Sequence, residues 1–201
     1  MFTPARRSPL YALALALMTA TAQAQSDVTF IDGGFVELCS DVAKAVDKPT
    51  GNTVTLTGTR LPTPPLEICT MAIDTAAGVP FDLAASYNNR GVIHYHNRNY
   101  EIALKDFDQS VAIKGDLAAA HINRGYVLMA LKRWQESLAA FNKGIVPEAP
   151  ELAKAHFNRG IVHEELGHVR EAYFDYLKAS ELAPEWAEPR TELGRFTVKR
   201  K

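Results

Sequence analysis

Cysteine is scarce, basic residues are not in surplus, and a single apolar run stands out; each shortage narrows what the chain can do. With 22 Lys+Arg against 23 Asp+Glu the net charge is −1, so the basic field that displaces counterions from phosphates is missing and nucleic acid is not an expected partner. The apolar run from Leu10 to Met18 is about half of the ~20 residues a bilayer-spanning helix needs, which argues against an integral membrane segment. No glycine-rich phosphate loop, nucleophile elbow or paired-carboxylate arrangement is present, and an enzyme is not expected. The two cysteines, Cys39 and Cys69, have neither a further cysteine nor an activating base beside them in sequence, which disfavours a catalytic thiol.

What the N-terminus does have is a leader. Arg6 and Arg7 precede the apolar run, and Ala22-Gln23-Ala24 follows it, the order of a secretory signal peptide. Pro9 and the leucine-rich run favour the general export route over the twin-arginine route. No cysteine follows the cleavage site, so no lipid anchor is expected. Loss of residues 1–24 removes Arg6 and Arg7, leaving 20 Lys+Arg against 23 Asp+Glu and a net charge of about −3. Export to an oxidising compartment favours a Cys39–Cys69 disulfide over two free thiols. Such a link stabilises a chain by roughly 3–4 kcal/mol on the loop-entropy model. The expected location is the periplasm of a Gram-negative bacterium.

Self-similarity is the strongest signal. Asn89-Arg90-Gly91, Asn123-Arg124-Gly125 and Asn158-Arg159-Gly160 are spaced 34 and 35 residues apart. Twelve residues after each glycine stands a small residue (Ala103, Ser137, Ala172), and four later an aromatic (Phe107, Phe141, Tyr176). Pro184 closes the third copy, while Gly115 and Ala149 stand at that place in the first two. The extra residue of the 35-residue spacing is assigned to the Val146–Pro150 loop.

This pattern resembles the tetratricopeptide repeat, over residues 84–186. The resemblance implies two antiparallel helices per unit, with small residues where the backbones approach and the aromatics wedged against the next unit. Stacking is then obligatory, because one hairpin alone leaves an apolar face exposed. The expected fold is an all-α helical-hairpin solenoid, a right-handed superhelix, with units at 84–117, 118–152 and 153–186. Departures are clear: Arg90, Arg124 and Arg159 replace a leucine, and Tyr87, His121 and His156 share an aromatic position.

Outside the clear units, residues 25–83 form an irregular N-terminal unit. Phe35, Leu38, Cys39, Val42 and Val46 make a helical stripe, Leu66–Ala77 reads as a second helix, and residues 48–65, rich in Thr, Gly and Pro, read as a loop or extended insertion. Counting back 34 residues from Ala103 reaches Cys69, so the disulfide is expected to staple these two helices at the close-contact position. Residues 187–201 are expected to be a capping helix, Ala187–Val198 with Pro189 in its first turn, and a basic tail.

In this family the first helix of each unit lines the concave surface. The resemblance therefore names a candidate peptide-binding groove of Asn88, Asn89, Val92, Tyr95, Asn123, Tyr126, Met129, Lys154, Phe157 and Asn158, with His96, Ile122, Ile161 and Glu164 on the same faces. Asn89, Asn123 and Asn158 share one position. An amide side chain both donates and accepts, so it suits an extended backbone, or it bridges adjacent helices within the solenoid. Tyr95, Tyr126, Met129 and Phe157 would anchor a partner's side chains or pack between units. Lys154 and Asn123 match parts of a known carboxylate clamp, but Asn158 stands where its arginine would be, and that clamp is not expected.

Arg90, Arg124 and Arg159 favour a structural role, with Asp106 and Asp175 as acceptors on the second helices and Ala140 at that place in unit two; a surface for acidic ligands is the alternative. The run His163-Glu164-Glu165 to His168 has its histidines five apart, not the four of a zinc-protease helix, and no metal or cofactor is expected. His94 and His163, like His121 and His156, read as imidazoles in place of core rings. Together these features suggest a periplasmic protein–protein interaction adaptor holding a protein or extended peptide. The alternative is a holdase-type chaperone for exposed apolar segments.

Overall fold

The computed structural model describes residues 34–46, 55–56, 59–60, 63–76 and 78–197. The signal peptide and Lys199-Arg200-Lys201 lie outside the described residues. Nine helices are described: α1 Gly34–Val46, α2 Pro65–Thr75, α3 Pro80–His96, α4 Tyr100–Ile113, α5 Ala118–Ala130, α6 Trp134–Gly144, α7 Leu152–Glu165, α8 Val169–Leu182 and α9 Ala187–Leu193. The only strands among the described residues are β1 Thr55–Leu56 and β2 Thr59–Arg60, an antiparallel pair inside the Thr/Gly/Pro-rich insertion. No described helix is long and apolar enough to cross a membrane.

Local sequence explains the helix ends. Pro65 and Pro80 open α2 and α3, where a missing N–H costs nothing and the fixed φ suits the first turn. Helices α3, α5 and α7 each stop on a left-handed residue, Arg98, Lys132 and Gly167. After it the chain folds back, so that Asn99, Arg133 and His168 donate to the carbonyls of His94, Leu128 and His163 at 2.9, 2.8 and 2.8 Å. These closures satisfy carbonyls that a helix end would otherwise leave bare.

The helices fall into two compact units, one running to Asn123 and the other starting at Arg124. In the first, α1 buries Cys39, Val42 and Ala43 against Ile68, Cys69 and Ala72 of α2 and Ile93 of α3. Of the apolar stripe read from the sequence, Phe35, Leu38, Cys39 and Val42 turn inward. Cys39 and Cys69 are bonded, with Cα atoms 4.7 Å apart, so the staple joins α1 to α2 where both side chains are fully buried. Helices α3 and α4 then form a hairpin. Phe107, 1% exposed, lies over Gly91, and Ser110 Oγ donates to the Ala84 carbonyl at 2.7 Å.

The second unit repeats that packing. Phe141 lies over Gly125 and Tyr176 over Gly160, and both rings are fully buried. Ser137, the small residue of the middle repeat, donates to the Gly125 carbonyl at 2.8 Å. The expectation that these rings wedge against the following unit is therefore refined: each ring's tight partner is the glycine of its own hairpin. Tyr176 additionally meets Phe196, at a centroid distance of 6.0 Å.

The C-terminal cap is shorter than expected. Helix α9 ends at Leu193 rather than Val198, because the chain turns at Gly194 and Arg195 and carries Phe196 inward. Phe196 is 9% exposed and edge-on to Tyr173 at 5.7 Å. Pro189 is buried in the first turn of α9, as the sequence suggests.

Candidate functional site

The candidate residues on α3 follow helical spacing, so Asn88, Asn89, Val92 and Tyr95 form a strip along one side. Asn88 is 8% exposed. Its Oδ1 accepts from Asn123 Nδ2 of α5 at 2.9 Å, and its Nδ2 donates to Asn89 Oδ1 at 3.3 Å. Three of the candidate amides are thus one hydrogen-bonded chain. Of Asn89, Asn123 and Asn158, the candidates for a bridging role, Asn123 bridges to the neighbouring helix through Asn88, and Asn88 in turn fixes the orientation of half-buried Asn89. Val92 is half-buried, as is Tyr95, whose ring meets His96 and Tyr100 at 5.5 and 5.7 Å.

In the second unit the candidates divide. Tyr126 packs edge-on against Phe141 at 5.4 Å, and Phe157 sits between Tyr176 at 5.4 Å and Trp186 at 4.8 Å. Both rings spend much of their surface inside the fold and remain half-exposed, as does Met129. Asn158 Nδ2 donates to the Lys154 carbonyl of its own helix at 2.8 Å. Lys154 itself is exposed and pairs with Glu151 at 2.7 Å.

Two of the three repeated arginines, Arg90 and Arg159, are where the structural reading places them. Arg90 grips Asp106 with two hydrogen bonds, Nε to Oδ2 at 2.9 Å and Nη2 to Oδ1 at 2.8 Å, and its Nη1 reaches Thr70 Oγ1 of α2 at 3.4 Å. Those bonds raise the pKa of Arg90 further. Arg159 grips Asp175 in the same way, at 2.8 and 2.7 Å, and His156 Nδ1 adds a third contact at 2.8 Å. Burial alone would raise the Asp175 pKa, but the bonds from Arg159 and His156 outweigh it and hold the carboxyl below its ordinary value. In the middle repeat Ala140 replaces the aspartate, and His121, 6% exposed, is instead within hydrogen-bond distance of the Gly115 carbonyl at 2.8 Å.

Glu164 shows what the sequence does not reveal. Placed among the groove residues by its position, it instead accepts from Tyr176 Oη at 2.6 Å and from Arg195 at 2.9 and 3.2 Å, while Arg195 also pairs with Glu192. Nothing in residues 160–176 marks this latch, because its partner lies 31 positions downstream.

Paired helices, each closed by an aromatic ring over a glycine, define an all-α helical-hairpin protein of the solenoid class. Residues 83–117 and 153–186 match family models described as tetratricopeptide repeat. Both stretches are thus tetratricopeptide repeats, and that fold is in general a protein–protein interaction module. Solved structures agree on the fold. MamA from residue 41 onward, from Desulfovibrio magneticus RS-1, is 17% identical with a TM-score of 0.60 over 81% of this chain and 83% of that one. YrrB, described as a tetratricopeptide protein with an unusual peptide-binding site, is 22% identical with a TM-score of 0.58 over 64% of each chain. The tetratricopeptide domain of Arabidopsis OM64 is 21% identical with a TM-score of 0.55, over 58% of this chain and 95% of that one. No curated protein matches the chain in sequence.

Proposed function

We propose that this protein is a non-enzymatic adaptor of the bacterial periplasm that holds a protein or an extended peptide along the first helices of its repeats. The observation that carries the reading is the amide chain Asn123–Asn88–Asn89. A buried, hydrogen-bonded asparagine orients a half-exposed one beside Val92 and Tyr95, so the strip offers a backbone-pairing group and apolar anchors without reorganisation. The peptide-binding site named for YrrB supports the same use of this fold. A buried disulfide supports the location, since such bonds persist in oxidising compartments.

A second reading, a holdase-type chaperone, draws support from Val79 and Phe81, which are 49% and 54% exposed at the start of α3. Binding to an array of unstructured peptides separates the two. The adaptor selects few sequences, and Asn89→Ala with Asn158→Ala weakens those while the fold is kept. Broad binding of apolar peptides, indifferent to both substitutions, would replace the adaptor by the chaperone. Fractionation of the native cell tests the location; accumulation in the cytoplasm would remove it.

A further inference from the structure

Two imidazoles in the last hairpin meet at a separation that suits a metal ion. Helix α7 ends in a closure in which Gly167, at φ +77°, donates to the Glu164 carbonyl at 2.9 Å and His168 donates to the His163 carbonyl at 2.8 Å. Such a closure brings the side chains of its first and last residues together, and an apolar pair commonly fills those places. Helices α3 and α5 close alike, with His94 and Asn99, and Leu128 and Arg133, at the equivalent places. At α7 both are histidine.

On a continuous helix a spacing of five would put the two rings on different faces, since each residue turns the chain about 100°. The left-handed glycine removes that obstacle. His163 Nδ1 and His168 Nδ1 stand 3.3 Å apart, with His168 on the surface. Two nitrogens bound to one tetrahedral zinc-like ion at about 2.0–2.1 Å are themselves about 3.3 Å apart.

We propose that His163 and His168 form a two-histidine site for a divalent ion of the zinc and copper class, with water completing the coordination. Imidazole donors select such ions over magnesium or calcium, which prefer oxygen. Behind the site, His163 Nε2 faces the Asp175 carboxylate at 3.8 Å, on the side where an outer carboxylate orients a ligating ring. Arg159 and His156 fix that carboxylate in turn. The carbonyl end of α7 adds negative potential. With no ion present the same gap is suited to one proton, shared as Nδ1–H donating to Nδ1; when an ion enters, that proton is exchanged through solvent to Nε2 of the same ring, so that both imidazoles ligate as neutral donors. A bound ion would tie the end of α7 to the start of α8.

The test is calorimetric titration of the intact chain, prepared without a histidine tag, with zinc chloride, beside His168→Asn. Position 168 precedes α8, where asparagine is a favoured capping residue, so that variant keeps the fold. The parent should take up one ion that His168→Asn binds at least about tenfold more weakly, and zinc should raise the thermal midpoint of the parent alone. Thermal unfolding of both in chelator checks that the variant is folded. Equal zinc binding by the two proteins, or none by the parent, overturns the site and leaves only a hydrogen bond between imidazoles.

Discussion

Phe107 lies so close over Gly91 that a β-carbon built on the glycine would stand 2.7 Å from the ring's Cε1. The same relation holds for Phe141 over Gly125 at 2.9 Å and Tyr176 over Gly160 at 2.8 Å. Because the ring is buried and cannot swing away, Gly91→Ala should destabilise the protein by about 1–3 kcal/mol, the usual cost of overpacking a core. Chemical denaturation measures this, and Phe107→Leu added to Gly91→Ala should recover part of the loss. A neutral Gly91→Ala would mean that α3 and α4 separate without penalty.

Asp175→Asn removes the charge that Arg159 and His156 share. Breaking a buried ion pair costs about 3–5 kcal/mol, and the loss here should fall near the lower end, since the Arg159 side chain keeps 20% exposure. The sign with pH follows from the lowered carboxyl pKa. Stability from this group is complete above the unfolded value of about 3.9 and drains away as the pH falls through the lower folded value. Acid denaturation of Asp175→Asn should accordingly lose part of its steepness below about pH 4.

Reduction of the Cys39–Cys69 bond, or its replacement by serines, should cost roughly 3–4 kcal/mol for the 30-residue separation. Hydrogen exchange should locate the damage. Amides of α1 and α2 should open while those of α7 and α8 keep their protection, and uniform loss of protection would show that the staple governs the whole fold.

His94 lies among α3 and α4 groups with its pKa lowered, first by burial and further by Arg90, with Asp106 opposing. The folded state therefore resists a proton that the unfolded chain accepts. Its contribution is complete above about pH 6.5 and is lost as the pH falls below that. Unfolding free energies measured from pH 8 to pH 5 should fall towards acid, and His94→Gln should flatten that fall.

Much of this was legible in the sequence because it depends on periodic positions. The Asn-Arg-Gly tripeptides locate α3, α5 and α7, the stripe from Phe35 to Val46 gives α1, and the 34-residue count from Ala103 finds Cys69. The arginines' partners were legible for Arg90 and Arg159 because Asp106 and Asp175 recur 16 residues on. What stayed hidden depends on single side-chain and backbone choices. The amide of Asn158 turns back on its own helix, whereas that of Asn123 crosses to α3; a shared repeat position does not dictate a shared rotamer. Glu164 meets Arg195 only because the chain turns after α9. His163 and His168 approach only because Gly167 is left-handed, which helical spacing alone does not anticipate.

In every hairpin 16 residues separate the glycine from the ring that covers it. The interval works as a gauge: one residue more or fewer between Gly160 and Tyr176 would rotate the ring off its seat. Length variation is thus confined to the joints, as the additional residue between α6 and α7 displays. A tag or epitope grafted at Val146–Pro150 would be absorbed there, while the same graft inside a hairpin would abolish it.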